Sequence, residues 1–426
     1  MQLSKQFDDI ADRRLSVFIA YSFLLVAINR VATLPFAESL QRIVALAQWG
    51  IYLFLFLVNL KYILKRANSV FTSSYIIFIV LYACSILYSL LRSKPIDLIL
   101  SHEVVWTLFY FIPVGVATYS IRNYRVMYDM LYKVSYVISF LCIFYCVYRL
   151  FINPFGNSYD MAFGYILLVP TLLHIAEFKK THKLLILLVI IIEIVSLLIF
   201  GSRGVVIGIV SYLFLDLFLK IKTWKDRIKL ILPILALLLV YVELPRINDY
   251  LESQNIYSRT LIKLATGDED DETHGRTNHW EVGMDLVFEH PIIGYGLGGY
   301  YYDFHEAISK KYPDELYTYD LEQGAWVKAS AGVSGAHSGF IDMLLFFGVL
   351  IGIPLALWLL FVVFKLKKIN NEYIFDILLV FYCSHILGNM IVGSGIHTKP
   401  GCAIFIYMMI KVIRQQKSLI LIRDKN

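Results

Sequence analysis

Mostly apolar stretches of about 17–25 residues, long enough to cross a bilayer as helices, recur along nearly the whole chain. They fall at 15–31, 42–61, 70–91, 97–119, 127–150, 160–177, 183–200, 204–220, 228–243, 338–363, 374–393 and 400–413. The pattern predicts an all-α integral membrane protein with about twelve transmembrane helices. About nine of them form an N-terminal bundle over 1–243, and three more, with a basic tail, occupy 338–426. Several are short, so tilt or partial burial has to be allowed for. A nine-plus-three arrangement is not the symmetric pairing of repeats that marks many transporters.

The segment between the two groups is polar. Residues 244–335 hold 16 Asp/Glu and 7 Lys/Arg, a local charge of −9, which leaves +15 on the rest of the chain. This stretch also carries Trp280, Trp326 and nine tyrosines, too many aromatics for a disordered loop. Short helices packed on the membrane face are expected over 244–337. Orientation follows from the loops that hold Lys and Arg, which stay cytoplasmic. Lys61, Lys65 and Arg66, Arg122 and Arg125, Lys179, Lys180 and Lys183, the 220–229 loop, Lys365, Lys367 and Lys368, and Lys411, Arg414 and Lys417 form one alternating set. Both termini are then cytoplasmic and 244–337 is external.

Composition narrows the class further. With 58% hydrophobic and 17% charged residues, the chain cannot clothe a water-soluble surface, since ordinary globular domains carry about 25% charged residues. The basic residues lie in short runs between apolar stretches, which reads as membrane topology and not as a nucleic-acid surface. All five cysteines, Cys84, Cys142, Cys146, Cys383 and Cys402, sit in apolar runs, so neither a zinc site nor a disulfide framework is indicated. No cleavable signal peptide is read at the N-terminus.

Three polar signals are candidates for chemistry. In Gly201-Ser202-Arg203-Gly204 an arginine interrupts two apolar spans at their external end. An arginine at membrane depth is a functional-site hypothesis by default, and its planar fork suits phosphate oxygens. A tight turn with a snorkelling arginine is the plainer alternative. The second signal is Gly275-Arg276-Thr277-Asn278-His279-Trp280, followed by His290-Pro291-Ile292-Ile293-Gly294-Tyr295-Gly296. Spacing predicts a short amphipathic helix over 280–289, with Arg276 at its entrance beside free N–H groups that favour an anion. The glycine run lacks the strand and the Lys-Ser/Thr of a nucleotide loop. The third is Ser334-Gly335-Ala336-His337-Ser338, just before the tenth span. A histidine there is suited to act as a general base near neutral pH.

Other residues carry less. The acidic run 268–272 fails as an EF-hand, because Thr273 stands where the turn glycine belongs. Glu193, Asp216 and Asp376 lie inside apolar spans with no partner visible in the sequence, as either a proton relay or polar contacts between helices. His385, Asn389, His397 and Lys399 give the eleventh span a polar outer end. Arg259 is a further external arginine that could stand in for Arg276.

Taken together, in this order and on this side, the signals resemble the bacterial O-antigen ligase and polymerase superfamily. The resemblance is carried by Ser202-Arg203-Gly204, by Gly275-Arg276 with Trp280 and Pro291-x-x-Gly294-x-Gly296, and by His337-Ser338 with nine residues before Gly348. It covers about 200–352.

The resemblance implies a fold like other lipid-sugar transferases, of the GT-C type. It also implies a metal-independent, inverting enzyme without cofactor that transfers a glycan from undecaprenyl diphosphate to an acceptor hydroxyl. Arg203 and Arg276 would hold the diphosphate and His337 would take the hydroxyl's proton. Arg259, Trp280, Ser338 and Tyr295 are candidate substrate-binding residues, and the loop tyrosines and tryptophans are candidate sugar platforms, with ordinary loop packing and interfacial anchoring the equal alternative for each tyrosine. The expected partners are the lipid-linked oligosaccharide, membrane lipid, a flippase and a chain-length regulator in a bacterial inner membrane, and no nucleic acid.

Many relatives have Asn where Ser338 stands, and Gly-Val-Leu-Ile-Gly at 348–352 is one residue longer than the usual Gly-x-x-Gly. Asn389 stands where some ligases place an acid, which favours a polymerase. A ligase acting on lipid A core and a secondary transporter or flippase are the alternatives.

Overall fold

The computed structural model describes residues 2–32, 38–91, 106–152, 161–200, 203–221, 272–296, 300–313, 317–320, 325–328, 336, 338–387, 390 and 400–423, besides 243, 246, 249–250 and 253. The ninth expected span, 228–243, lies outside them apart from its last residue.

The described chain is helical except for one hairpin. In order come α1 (Gln2–Ala32), α2 (Glu38–Leu91), a π-turn (Thr107–Phe111) leading into α3 (Ile112–Ser120), α4 (Tyr124–Ile152), α5 (Met161–Thr181), α6 (Leu184–Phe200) and α7 (Arg203–Lys220). The polar segment contributes α8 (Glu272–Glu289), α9 (Tyr300–Lys311) and the antiparallel strands β1 (Tyr317–Asp320) and β2 (Ala325–Lys328), with Tyr317 opposite Lys328. The hairpin is a departure from the expected short helices alone. Then follow α10 (Gly339–Phe361) with a 3-10 extension (Val362–Lys368), α11 (Glu372–Phe381) with a π-helical extension (Tyr382–Leu387), and α12 (Pro400–Arg423).

Three stretches, Ile43–Leu87, Tyr124–Tyr148 and Gly339–Lys368, are long and apolar enough to cross a membrane, and Thr107–Ser120 and Leu184–Leu198 are shorter apolar helices. The first of the three is two arms. Ala67 has non-helical angles (φ −144°, ψ 29°), and Tyr52 and Tyr75, about 34 Å apart on a straight helix, both reach the 108–110 turn. The Tyr52 hydroxyl donates to the Tyr110 carbonyl at 3.5 Å and the Tyr75 hydroxyl to the Leu108 carbonyl at 3.2 Å. The helix therefore doubles back at Ala67, which agrees with separate spans at 42–61 and 70–91.

Each apolar helix divides its faces between lipid and core. On α6, Leu184, Leu188, Ile191 and Val195 are exposed, whereas Ile186, Ile190, Glu193 and Leu197 are buried. Both sets recur every three or four residues, the spacing of a helix face. Leu185 is 70% exposed, a surface that only lipid would tolerate across a whole helix. This is a membrane protein.

The acidic residues inside the spans have partners on other helices. The Glu193 carboxylate lies 2.8 Å from Nδ1 of His174 and accepts from the Ser139 hydroxyl, joining α4, α5 and α6. Asp216 pairs with Lys179 at 2.9 Å and Lys220 at 2.8 Å, and Asp376 with Lys180 at 2.6 Å. Removing one member of such a buried pair strands the other charge, at about 3–5 kcal/mol. Glu193, Asp216 and Asp376 are bonded to separate sets of partners and not to one another among the described residues, the arrangement of polar contacts between helices.

The basic loops meet at one end of the bundle. Arg66, its side chain 3% exposed, pairs with Asp8 at 2.8 Å and Asp12 at 2.5 Å. Asp12 also accepts the backbone N–H of Arg122 at 3.0 Å and of Asn123 at 2.9 Å, which caps the turn into α4. Lys411 of α12 donates to the Tyr119 carbonyl at 2.7 Å. Arg66 holds Asp8 below the ordinary carboxylate range through a side-chain hydrogen bond, against a smaller opposing effect of burial.

Candidate functional site

The opposite end of the bundle is organised around a break in α10. Gly348 has φ +64° and ψ −178°, a conformation open essentially to glycine alone. The tenth expected span, 338–363, is therefore two pieces: an arm of nine residues, 339–347, and a longer arm from 349. They turn back sharply on each other, because a Cβ on Gly352 would lie 2.8 Å from the carbonyl oxygen of Met343.

Breaking a helix frees backbone groups that must find partners in an apolar setting. The loop after α8 supplies them. The Tyr295 N–H donates to the Leu345 carbonyl at 2.7 Å, the Gly296 N–H to the Phe346 carbonyl at 3.1 Å, and the Val349 N–H to the Pro291 carbonyl at 2.7 Å. Contact this close excludes side chains. Gly294 (φ +65°) would place a Cβ 2.5 Å from the Leu345 oxygen, and a Cβ on Gly348 would collide with the Ile292 carbonyl. The Pro291-x-x-Gly294-x-Gly296 motif and Gly348 are thus two halves of one main-chain latch.

Helix α8 begins at Glu272, eight residues before the expected start at 280. Arg276 is consequently inside the helix and not at its entrance, so free N–H groups do not surround it. Arg276, Trp280 and Gly283 follow one another at four- and three-residue steps and share a face. Gly283 lets that face approach closely: a Cβ there would lie 2.8 Å from Cγ2 of Ile341 and 3.0 Å from Cβ of Ala336. The residue before His337 therefore rests against the stripe of α8 that carries Arg276. Trp280 is half-buried, and its indole Nε1, enclosed, has no hydrogen-bond partner among the described residues.

Arg203 is the first residue of α7, so here an arginine does coincide with a helix N-terminus and its free N–H groups. Five residues along, a Cβ on Gly208 would lie 3.4 Å from the carbonyl of Cys383, in the π-helical extension of α11. The two helices run in opposite directions. The start of α7 is therefore level with the far end of that extension, and Met390, just beyond it, is where Ser338 attaches: the Ser338 hydroxyl donates to its carbonyl at 3.3 Å. Ser338 stands at the N-cap of α10 but makes no side-chain cap bond. Elements bearing Arg203 and Arg276, together with Ala336 and Ser338, thus converge at one end of the bundle, away from the basic loops.

His337 and Arg259 lie outside the described residues, as do Asn389, His397 and Lys399. Arg203 and Arg276 are placed by their backbone alone. Ser338 is buried. Tyr295 is fully buried, its hydroxyl 3.2 Å from the Glu289 carboxylate and its ring 4.7 Å from that of His290, so it presents no face to a sugar. Tyr300 is likewise fully buried. Both belong to the packing and not to a platform.

One residue of this region escaped the sequence reading. Asp342, 2% exposed, lies one turn beyond Ser338 and accepts the Tyr300 hydroxyl at 2.9 Å. An acid inside the apolar run that follows a motif histidine was the available signal. His385, 8% exposed, sits in the π-helical extension with Nδ1 2.8 Å from the Ser384 hydroxyl, and its ring packs on Gly401. Nearby, α9 is tied to α8 by Lys311, 2.8 Å from Glu281 and 2.7 Å from Asp285. The hydrogen bond from Lys311 holds Glu281 below its ordinary range. Lys311 itself is pushed upward, first by Asp285.

Residues 186–359 match the O-antigen ligase family. The match runs from α6 through the latch and past the break in α10, and so takes in Arg203, Arg276 and His337. It covers about two fifths of the chain and supports membership in the O-antigen ligase and polymerase superfamily without separating the two. No curated protein and no solved structure matches the chain.

Proposed function

We propose that the protein is a membrane glycosyltransferase that takes a glycan from a polyprenyl-diphosphate carrier and, acting as a polymerase, joins it to a second lipid-linked unit. The observation that carries this reading is the convergence of three motif-bearing elements, all inside the family match, at the end of the bundle opposite the basic loops. In this account that end faces the periplasm across a bacterial inner membrane, with both termini cytoplasmic.

The acceptor hydroxyl attacks the anomeric carbon of the donor sugar. The bond from that carbon to the diphosphate oxygen breaks, and the diphosphate leaves with the electron pair. Its developing charge falls to Arg203, at the start of α7 where helix N–H groups add to the arginine, and to Arg276 on α8. His337 takes the hydroxyl proton. Trp280, one turn from Arg276, has an enclosed N–H suited to a donor oxygen. Attack from the face opposite the leaving group inverts the anomeric centre, and no step calls for a metal.

His337→Ala is expected to abolish transfer, by about 10²–10⁴-fold for a general base, with binding of the lipid-linked donor retained. Arg203→Ala should weaken binding and transfer together. Full transfer by a well-folded His337→Ala protein would end the base assignment. Dependence on an added divalent ion after chelation would end the arginine account of the leaving group.

A further inference from the structure

We propose that a lateral groove along the second arm of α2 holds the isoprenoid chain of the lipid-linked donor and selects for chains longer than one membrane leaflet. This rests on the transferase reading above and adds where the lipid lies and what property of it is recognised.

Two clefts of about 460 and 510 Å³ lie end to end on this arm, and Leu81 and Phe347 line both. The first begins at Ser69 and Arg414, near the basic end. The second finishes at Leu91 and at Gly294 and Gly296 of the latch. From Ser69 to Leu91 the helix rises about 33 Å, close to the ~30 Å hydrocarbon thickness of a bilayer. An acyl chain of an ordinary phospholipid reaches about half that depth, so it can fill one cleft and not the pair. A chain that follows the whole groove must be longer than a leaflet.

The walls are suited to hydrocarbon. Ser74, facing the first cleft, donates to the Val70 carbonyl at 2.7 Å and accepts the Tyr407 hydroxyl at 2.8 Å, so its polarity is already spent within the protein. Ile77 and Leu87, on the same arm, are 59% and 60% exposed. The upper end abuts the motif region, because Gly294 and Gly296 rest on the short arm of α10 that Ser338 begins. A diphosphate held there would release its tail into the second cleft, and the tail would pass Leu81 and Phe347 on its way down.

The test uses the full-length protein in lipid nanodiscs with photoreactive polyprenyl phosphates, one long-chain and one geranyl. Adducts of the long probe should map to 69–91 and to Phe347, and the long probe should bind at least about tenfold more tightly than the short one. Leu81→Trp, which plugs the junction, should remove that preference and leave the short probe unaffected. Ile77→Trp, at an exposed position, should lower it without stressing the fold. Equal binding of long and short probes, adducts confined to other helices, or displacement of the long probe by ordinary phospholipid at equal concentration would each overturn the groove. The two readings fail separately. Transfer without chain-length preference defeats the groove alone, and chain-length-selective binding without transfer from any donor defeats the transferase alone.

Discussion

At the basic end of the bundle the helices are joined by side-chain charges, whereas at the motif end the broken helix α10 is held to the loop after α8 by main chain. Arg66 gathers Asp8 and Asp12, and Lys179 and Lys180 meet Asp216 and Asp376, across helices far apart in sequence. The motif end instead uses Pro291, Tyr295 and Gly296 against Leu345, Phe346 and Val349, with glycines where side chains would not fit. Charges that neutralise each other hold a structure and have nothing left for a ligand. A latch made of backbone fixes its neighbours without using an ionisable group, which suits a region whose arginines and histidine are proposed to act on a substrate.

The comparison can be broken from either side. Gly348→Ala should have the largest effect, because the new Cβ would meet the Ile292 carbonyl in a backbone conformation that alanine resists. It should cost about 3 kcal/mol or more, read as a lower melting point in detergent, and should reduce transfer even in the folded fraction. Arg66→Ala should be comparably destabilising, by about 3–5 kcal/mol, since it strands buried Asp12. Transfer per folded molecule should be unchanged, which separates the two ends. Gly296→Ala has φ +77° and Ser85 Oγ 2.5 Å from the added atom. It should cost about 1–3 kcal/mol, part of it recovered with Ser85→Gly.

A smaller effect is pH-dependent. Asp8 has its folded pKa depressed by Arg66, so its contribution is present above its ordinary value of 3.8 and is lost as pH falls through the lower folded value. The melting-point gap between wild type and Asp8→Asn should be constant near neutrality and close below that range. Smallest of all, Lys311→Met removes exposed pairs with Glu281 and Asp285 and should leave the melting point where it was.

How much of this was legible in the sequence differs from element to element. The helices at 183–200 and 127–150 were plain from their apolar runs, and the break at Ala67 in α2 falls between the expected spans 42–61 and 70–91, just after Lys61, Lys65 and Arg66 interrupt the apolar pattern. The partners of Glu193, Asp216 and Asp376 were invisible, since each pair joins residues on different helices and no local pattern records it. The Gly294 and Gly296 motif was found but its purpose was not. A glycine that permits close approach looks the same whether the approaching group is a phosphate or the carbonyl of Leu345. For Tyr295 and Tyr300 a sugar platform and ordinary loop packing were both open, because aromatic residues in a polar segment give no sign of which ones turn inward. Asp342 was passed over inside its apolar run. The order of Arg203, Arg276 and His337 was legible, and the backbones of Arg203, Arg276 and Ser338 lie towards one end, with His337 outside the described residues.

The most direct test of the central claim is mass analysis of lipid-linked products made by the purified protein in lipid, with one defined polyprenyl-diphosphate oligosaccharide as sole substrate. The account predicts products at whole-number multiples of the repeat unit, absent with His337→Ala. If single units alone are recovered and product forms only when a lipopolysaccharide core is added, the protein is a ligase. No product under either condition would contradict the transferase reading itself.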